Sequence, residues 1–357
     1  MILTLLRMKK RRARQLLPRV AATIPVSGPV VAEAVNSVTN RIYFLDDKSR
    51  MLVLDGNTNK VIATVKTGRL PFNLAVNPRT NRIYITNFFD GTVSVINGRT
   101  NRVIATVKVG ERCDNIAVDP RANLIYVATI SLTSPNGQLV VLNGSTNRVQ
   151  TKIPFTGRPS QIVVNPAARR IYVTNTSEDT VSVIDGNNHA FLATEKVGRN
   201  PVIRPVLNTR TNRLYIANNL SRFYSVLNLR THKVRNVRIG RLQSEIELNP
   251  ITNRVYITSA QITSKGRLFA VNGGTNRVIS TLTIPASTSM TVNPKTNHLF
   301  VAEQPESGTA PLTVYNGSTL ERVALLRLGE GPRGFVLNPQ TNRIYIGGDT
   351  IITVIQD

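Results

Sequence analysis

Few residues of this chain can carry proton, metal or nucleophilic chemistry. The 357 residues include three histidines, one cysteine and no tryptophan. His189 and His232 each precede a run of strand-forming residues, and His298 opens the segment Leu-Phe-Val. All three therefore fall in or beside turns, and the converging imidazoles that a metal-assisted lyase or oxidase needs are not expected. Cys113 follows Arg112, whose charge favours a thiolate, yet no histidine lies near it in sequence to act as a base. A space-filling role is the expectation for that thiol. Asp46, Asp47, Asp114, Glu245 and Asp349 could converge on a divalent cation, as in a metal-dependent lactonase.

Arginine is the abundant chemistry. Lys and Arg number 45 against 20 Asp and Glu, a formal charge of +25. Such a field attracts anions over a whole surface, and guanidinium adds bidentate contact to carboxylate or phosphate. At 41% hydrophobic residues the chain can bury a core. No apolar run approaches the ~18 residues of a membrane span. A single cysteine excludes disulfide scaffolds, Cys-based zinc sites and iron–sulfur clusters.

The elements that must position these groups are repeats. Seven of nine tyrosines, with one aromatic substitute, recur at one place: Tyr43, Tyr84, Tyr126, Tyr172, Tyr215, Tyr256, Phe300 and Tyr345. Their spacings run from 41 to 46 residues, close to the ~40 to 45 of four-stranded propeller blades. In one copy Val61 to Val65, Leu74 to Val76, Arg82 to Thr86 and Thr92 to Ile96 are β-rich or alternating runs punctuated by Asn, Gly and Pro. They read as four short antiparallel strands, with no sustained helical period. One such sheet has two apolar faces, so eight must stack and close on themselves. Residues 20 to 26 match the outer strand, whereas the final copy stops at its third strand, Ile351 to Ile355. The fold class expected is an all-β, eight-bladed propeller of four-stranded antiparallel blades, closed by the N-terminal strand completing the last blade. Residues 1–19 form a basic tail, expected to be disordered, and 20–357 one propeller domain.

The segment from Asn77 to Asn87, with Thr92 to Ile96, and the tetrad Tyr172-Val173-Thr174-Asn175 with Thr180 to Ile184, resemble the YVTN-type β-propeller repeat. The resemblance covers roughly residues 20 to 357 and departs from the pattern at Phe300, Leu124 and Arg169, and at insertions around Ser131 to Gln138 and Pro305 to Pro311. It implies a binding or scaffolding role, in the cell envelope or outside the cell. Eight-bladed propellers with a quinone cofactor mark their blade junctions with tryptophan, which this chain lacks; no cofactor is expected.

Strand direction sorts the arginines. Turns after the first and third strands share one face, and those after the second and fourth share the other. Arg41, Arg82, Arg170, Arg213, Arg254 and Arg343 recur before the tyrosine strand, and Lys60, Arg102, Arg148, Lys233 and Arg277 before the outer strand, so both sets lie on the first face. An arginine at a strand start is commonly a solvated end group whose stem covers apolar surface. Arg69, Arg112, Arg158, Arg199, Arg241 and Arg333 stand in the connections between blades on the opposite face, beside loops of variable length. Variable loops on a rigid frame are where recognition evolves, so this mouth is the expected ligand site and the first face a secondary one. The expected activity is non-catalytic binding of an anionic polymer or acidic protein by a monomer. A nucleic-acid binder, with Phe72, Phe88 and Phe89 as stacking residues, and a metal-dependent lactonase or lyase are the alternatives. Seven cations in residues 1 to 19 follow, rather than precede, the short apolar run Ile2 to Leu6, so no export signal is read there. That reading makes the cytoplasm the default compartment, against the envelope setting of the resemblance.

Overall fold

The computed structural model describes residues 17–240, 242–260, 265–303 and 309–357. These form eight four-stranded antiparallel sheets. In the second blade the strands are Pro71–Asn77, Arg82–Asn87, Thr92–Asn97 and Arg102–Lys108, each a little longer than the sequence pattern suggests. First strands of neighbouring blades pack against each other, and the last blade's packs on the first blade's. The ring is closed, with first strands around the central channel and fourth strands at the circumference.

Closure uses the N-terminal strand as expected. Arg19–Pro25 pairs antiparallel with Ile351–Gln356, Ile24 opposite Ile352 and Val20 opposite Ile355. The last blade is thus built from both ends of the described chain, in the order outer strand, third, second, first.

The repeated tyrosines explain why the blades stack. Every one is at most 1% exposed, and Phe300 is fully buried. Eight apolar clusters result, each shared by two neighbouring blades; Tyr43 and Leu45 of the first blade, for example, pack with Leu74, Ile83 and Ile85 of the second. Asparagine supplies the turns. Asn40, Asn81, Asn123, Asn212, Asn253, Asn297 and Asn342 all have φ between 50° and 59°, the left-handed region that asparagine tolerates. Their side chains then bridge blades. Asn36 donates to Asn81, Asn77 to Asn123, Asn208 to Asn253, Asn249 to Asn297, Asn293 to Asn342 and Asn338 to Asn40, at 2.5 to 2.9 Å.

Candidate anion-binding faces and channel

The arginine that opens each tyrosine strand does structural work determined by its neighbours. Where the third strand of its own blade ends in aspartate, the guanidinium turns inward: Arg41 meets Asp55 at 2.6 Å and Arg170 meets Asp185 at 2.9 Å. Elsewhere it reaches the next blade. Arg254 donates to the carbonyls of Gly317 and Ser318 at 2.7 and 2.6 Å, Arg213 to those of Gly273 and Gly274, and Arg82 to that of Gly144. Arg343 donates to Gly56 at 2.8 Å across the closure. Tyr215 and Tyr256 hydroxyls donate to the same carbonyls of Gly273 and Gly317. These six guanidiniums join turns to turns.

The exposed cations of that face are a different set. Lys60, Arg79, Arg99, Arg102, Arg121, Arg148, Arg169, Arg210, Arg230, Lys233, Arg277 and Lys295 all stand exposed in the turns after first and third strands. Of these twelve, Lys233 alone among the described residues forms an ion pair, with Glu195 at 3.2 Å. The face's carboxylates are occupied within the fold. Asp55 and Asp185 pair with arginine, Asp119 accepts backbone N–H from Arg121 and Ala122, and Asp357 meets His298 at 2.6 Å. Turn hydrogen bonds from Thr58 and Asn187, with the neighbouring arginines, hold Asp55 and Asp185 below the ordinary carboxylate range. Glu321 is the one exposed carboxylate in these turns.

The mouth side also carries exposed cations, among them Lys66, Lys108, Lys152, Lys196, Arg222, Arg238, Lys265, Arg267 and Arg327, but more carboxylates stand beside them. Ten carboxylates lie on that side among the described residues: Asp46, Asp47, Asp90, Glu111, Asp114, Glu178, Asp179, Glu303, Glu330 and Asp349. Arg69 meets Asp90 at 2.7 Å, and Arg333 meets Asp349 at 2.9 Å. The Arg112 guanidinium lies 5.2 and 5.5 Å from the ring centres of Phe88 and Phe89. Arg158 and Arg199 are exposed, while Arg241 lies outside the described residues. These arginines are spread one to a junction and do not converge. What does converge is aromatic. Phe72 and Phe88 stand 5.7 Å apart, as do Phe88 and Phe89, with Phe72 44% and Phe89 53% exposed. Beside them the inserted loop of the third blade walls a cleft of about 430 Å³ lined by Lys108, Glu111, Ser131 and Lys152.

The carboxylates considered for a metal do not assemble. Asp46 pairs with Arg50 and Asp349 with Arg333, while Asp114 has the Arg158 charge for company. Among the described residues no group of three or more His, Cys, Asp or Glu stands so as to hold a metal ion. His189 and His232 occupy left-handed turn positions on the opposite face. Cys113 is buried, its Sγ 3.3 Å from the carbonyls of Asn87 and Thr92, and burial pushes the thiol up to about 12. It is a space-filling residue, as expected.

Sequence reasoning named Glu245 as a candidate metal ligand but missed Glu33 and Glu247. Glu33 occupies a first-strand register position held elsewhere by Leu74, Ile116, Ile162, Ile246, Met290 and Phe335. Gly334 of the last blade makes room for it; a Cβ there would collide with the Glu33 carboxyl group. Glu33, Glu245 and Glu247 are pushed up to about 7, 8 and 7, in each case chiefly by burial. Neighbouring carboxylates add to the rise at Glu245, and Arg204 opposes it at Glu33 and Glu247. The signal was a carboxylate at a register position that is otherwise apolar.

No family model matches the chain, and no curated protein matches its sequence. Solved structures do. BamB from Moraxella catarrhalis superposes with a TM-score of 0.72 at 12% identity, over 96% of this chain and 100% of that one. Sqt1 from Saccharomyces cerevisiae gives 0.75 at 10% identity, over 95% and 99%. The fold is a β-propeller. At such identities the likeness carries architecture alone, and it fits the eight closed blades described above. No helix among the described residues is long and apolar enough to cross a membrane.

Proposed function

We propose that this propeller is a non-catalytic scaffold that recognises an anionic partner, an acidic envelope polymer or an acidic protein surface, with the turn face as the primary contact. The observation that carries this reading is the twelve exposed cations of that face, set against one exposed carboxylate. Rigidly held like charges sum into a surface potential and act multivalently on a polyanion. The mouth arginines Arg69, Arg112 and Arg333 already have partners within the chain, which supports a secondary role for the mouth, with Arg158 and Arg199 among its available contacts. The repeats are assigned to the YVTN type on the motif residues, and an envelope setting follows from that assignment.

The test replaces Lys60, Arg102, Arg148 and Arg277 with Gln in one variant, and Arg69, Arg158, Arg199 and Arg333 in another. Binding to inorganic polyphosphate should fall far more in the first. A larger loss in the second would return the primary contact to the mouth.

A second reading is favoured by one observation. The Phe72, Phe88 and Phe89 group with its stacked Arg112 is the kind of platform on which single-stranded bases stack. Phe72→Ser with Phe89→Ser should then weaken binding of a single-stranded oligonucleotide without changing polyphosphate binding.

A further inference from the structure

We infer that the turn face docks flat on an anionic lipid bilayer, cations at the headgroups and exposed apolar side chains in the interface. This rests on the reading of that face as anion-binding and names its partner. The argument comes from what occupies equivalent places. The tip of the first turn holds Arg79, Arg121, Arg210 and Lys295 in four blades, but Val38 and Ile251 in two others. Those two are 67% and 63% exposed, among the most exposed large apolar residues described. Neither belongs to one of the eight buried apolar clusters, so the core does not require them.

The outer circle repeats the combination. The cation that ends the second turn is followed by an exposed aliphatic pair: Lys60 by Val61 and Ile62, Arg102 by Val103 and Ile104, Arg277 by Val278 and Ile279, each side chain 40% to 46% exposed. A soluble polyanion has use for the cations and none for the apolar groups. An anionic bilayer surface takes both, because its potential draws basic groups while its interface removes apolar surface from water. All these turns end on one side of a rigid ring, so the face meets a planar partner with many groups at once.

The experiment uses the full chain with phosphatidylcholine vesicles, with and without phosphatidylserine, and with inorganic polyphosphate and a single-stranded oligonucleotide as soluble polyanions. The expected result is sedimentation with the phosphatidylserine vesicles alone, lost at high salt. Val38→Gln with Ile251→Gln should reduce vesicle binding several-fold and leave polyphosphate binding unchanged. An environment-sensitive label on Thr58→Cys should shift on vesicle binding, and one on Ser134→Cys at the mouth should not. Vesicle binding by the glutamine variant equal to that of the parent chain overturns the proposal, as does preference for the oligonucleotide over the vesicles. Polyphosphate binding without vesicle binding overturns the bilayer and leaves the anion-binding face standing, whereas loss of both removes the face itself.

Discussion

Twelve exposed cations on the turn face share their turns with one exposed carboxylate, Glu321, whereas at the mouth ten carboxylates among the described residues stand beside the cations. Both faces are strongly basic in sequence, and what separates them is compensation. On the turn face, repetition fixes the inner groups: asparagine in the left-handed position, tyrosine beneath it, arginine reaching the next blade. Those groups have no freedom to bind anything else. Only the tips are at liberty, and there cations accumulate with Lys233 alone of the twelve in an ion pair. At the mouth the connections differ in length and several carry a carboxylate, so some of the charge is neutralised locally, as by Asp90 for Arg69 and by Asp349 for Arg333. A count of arginines therefore says less about a binding face than a count of arginines without partners.

The comparison breaks most sharply under the turn face. Tyr256→Ala removes a fully buried ring and a 2.7 Å hydrogen bond to Gly317, and should cost about 3–5 kcal/mol of stability, read by chemical denaturation. Phe89→Ala at the mouth, half exposed, should change stability by no more than about 0.5 kcal/mol. Similar costs at the two positions would erase the distinction between a structural face and a free one.

Next in size is the channel between the faces. Glu245 ionises at about 8 in the fold and near its ordinary 4.5 in the unfolded chain. The folded form holds the proton more tightly, so the protein is most stable, as far as this group is concerned, below the unfolded value. That stability is lost as pH rises through the folded one. Glu245→Gln should therefore melt with the parent chain at acid pH and above it at alkaline pH. A constant difference in melting temperature across that range would show that the carboxyl is not held protonated by the channel.

A smaller effect separates the two kinds of turn-face arginine. Arg254→Gln leaves the Ser318 carbonyl without its donor and the Gly317 carbonyl with the Tyr256 hydroxyl alone, at a cost of about 1–3 kcal/mol in stability, and should leave polyphosphate binding intact. Arg102→Gln should do the reverse. If Arg254→Gln weakens binding and spares stability, the inner guanidiniums belong to the binding surface after all.

These contrasts mark what could be read from sequence. Blade number, strand order and the closing strand were legible because each depends on a short pattern repeated eight times, and the period of the tyrosines is set by one blade's length. The side to which each arginine belongs was legible from strand direction. Its partner was not, because partners are fixed across blades: Arg254 meets Gly317 and Ser318, while Arg69 meets Asp90 in the turn of the following blade. One local rule would have helped, since aspartate at the end of the third strand, as at Asp55 and Asp185, keeps the arginine within its own blade. Glu33 was hidden for a similar reason. Its departure from the apolar register is visible, but the glycine that accommodates it, Gly334, lies at the far end of the chain.

The smallest expected effect bears most directly on which face binds. Asp90→Asn together with Asp349→Asn removes the partners of Arg69 and Arg333 without adding bulk. Both pairs are substantially exposed, so each should cost about 0.2–1 kcal/mol in stability. The mouth becomes more cationic by two charges, and two guanidiniums gain freedom to meet a ligand. If the mouth is the primary anion site, affinity for polyphosphate rises and becomes more salt-dependent, because more charge meets the polyanion directly. If the turn face is primary, as the uncompensated cations imply, the affinity stays close to that of the parent chain, since the altered groups face away from the bound polymer and screening attenuates what reaches across the disc. The substitution adds positive charge to both hypotheses equally, so only its position can produce a difference.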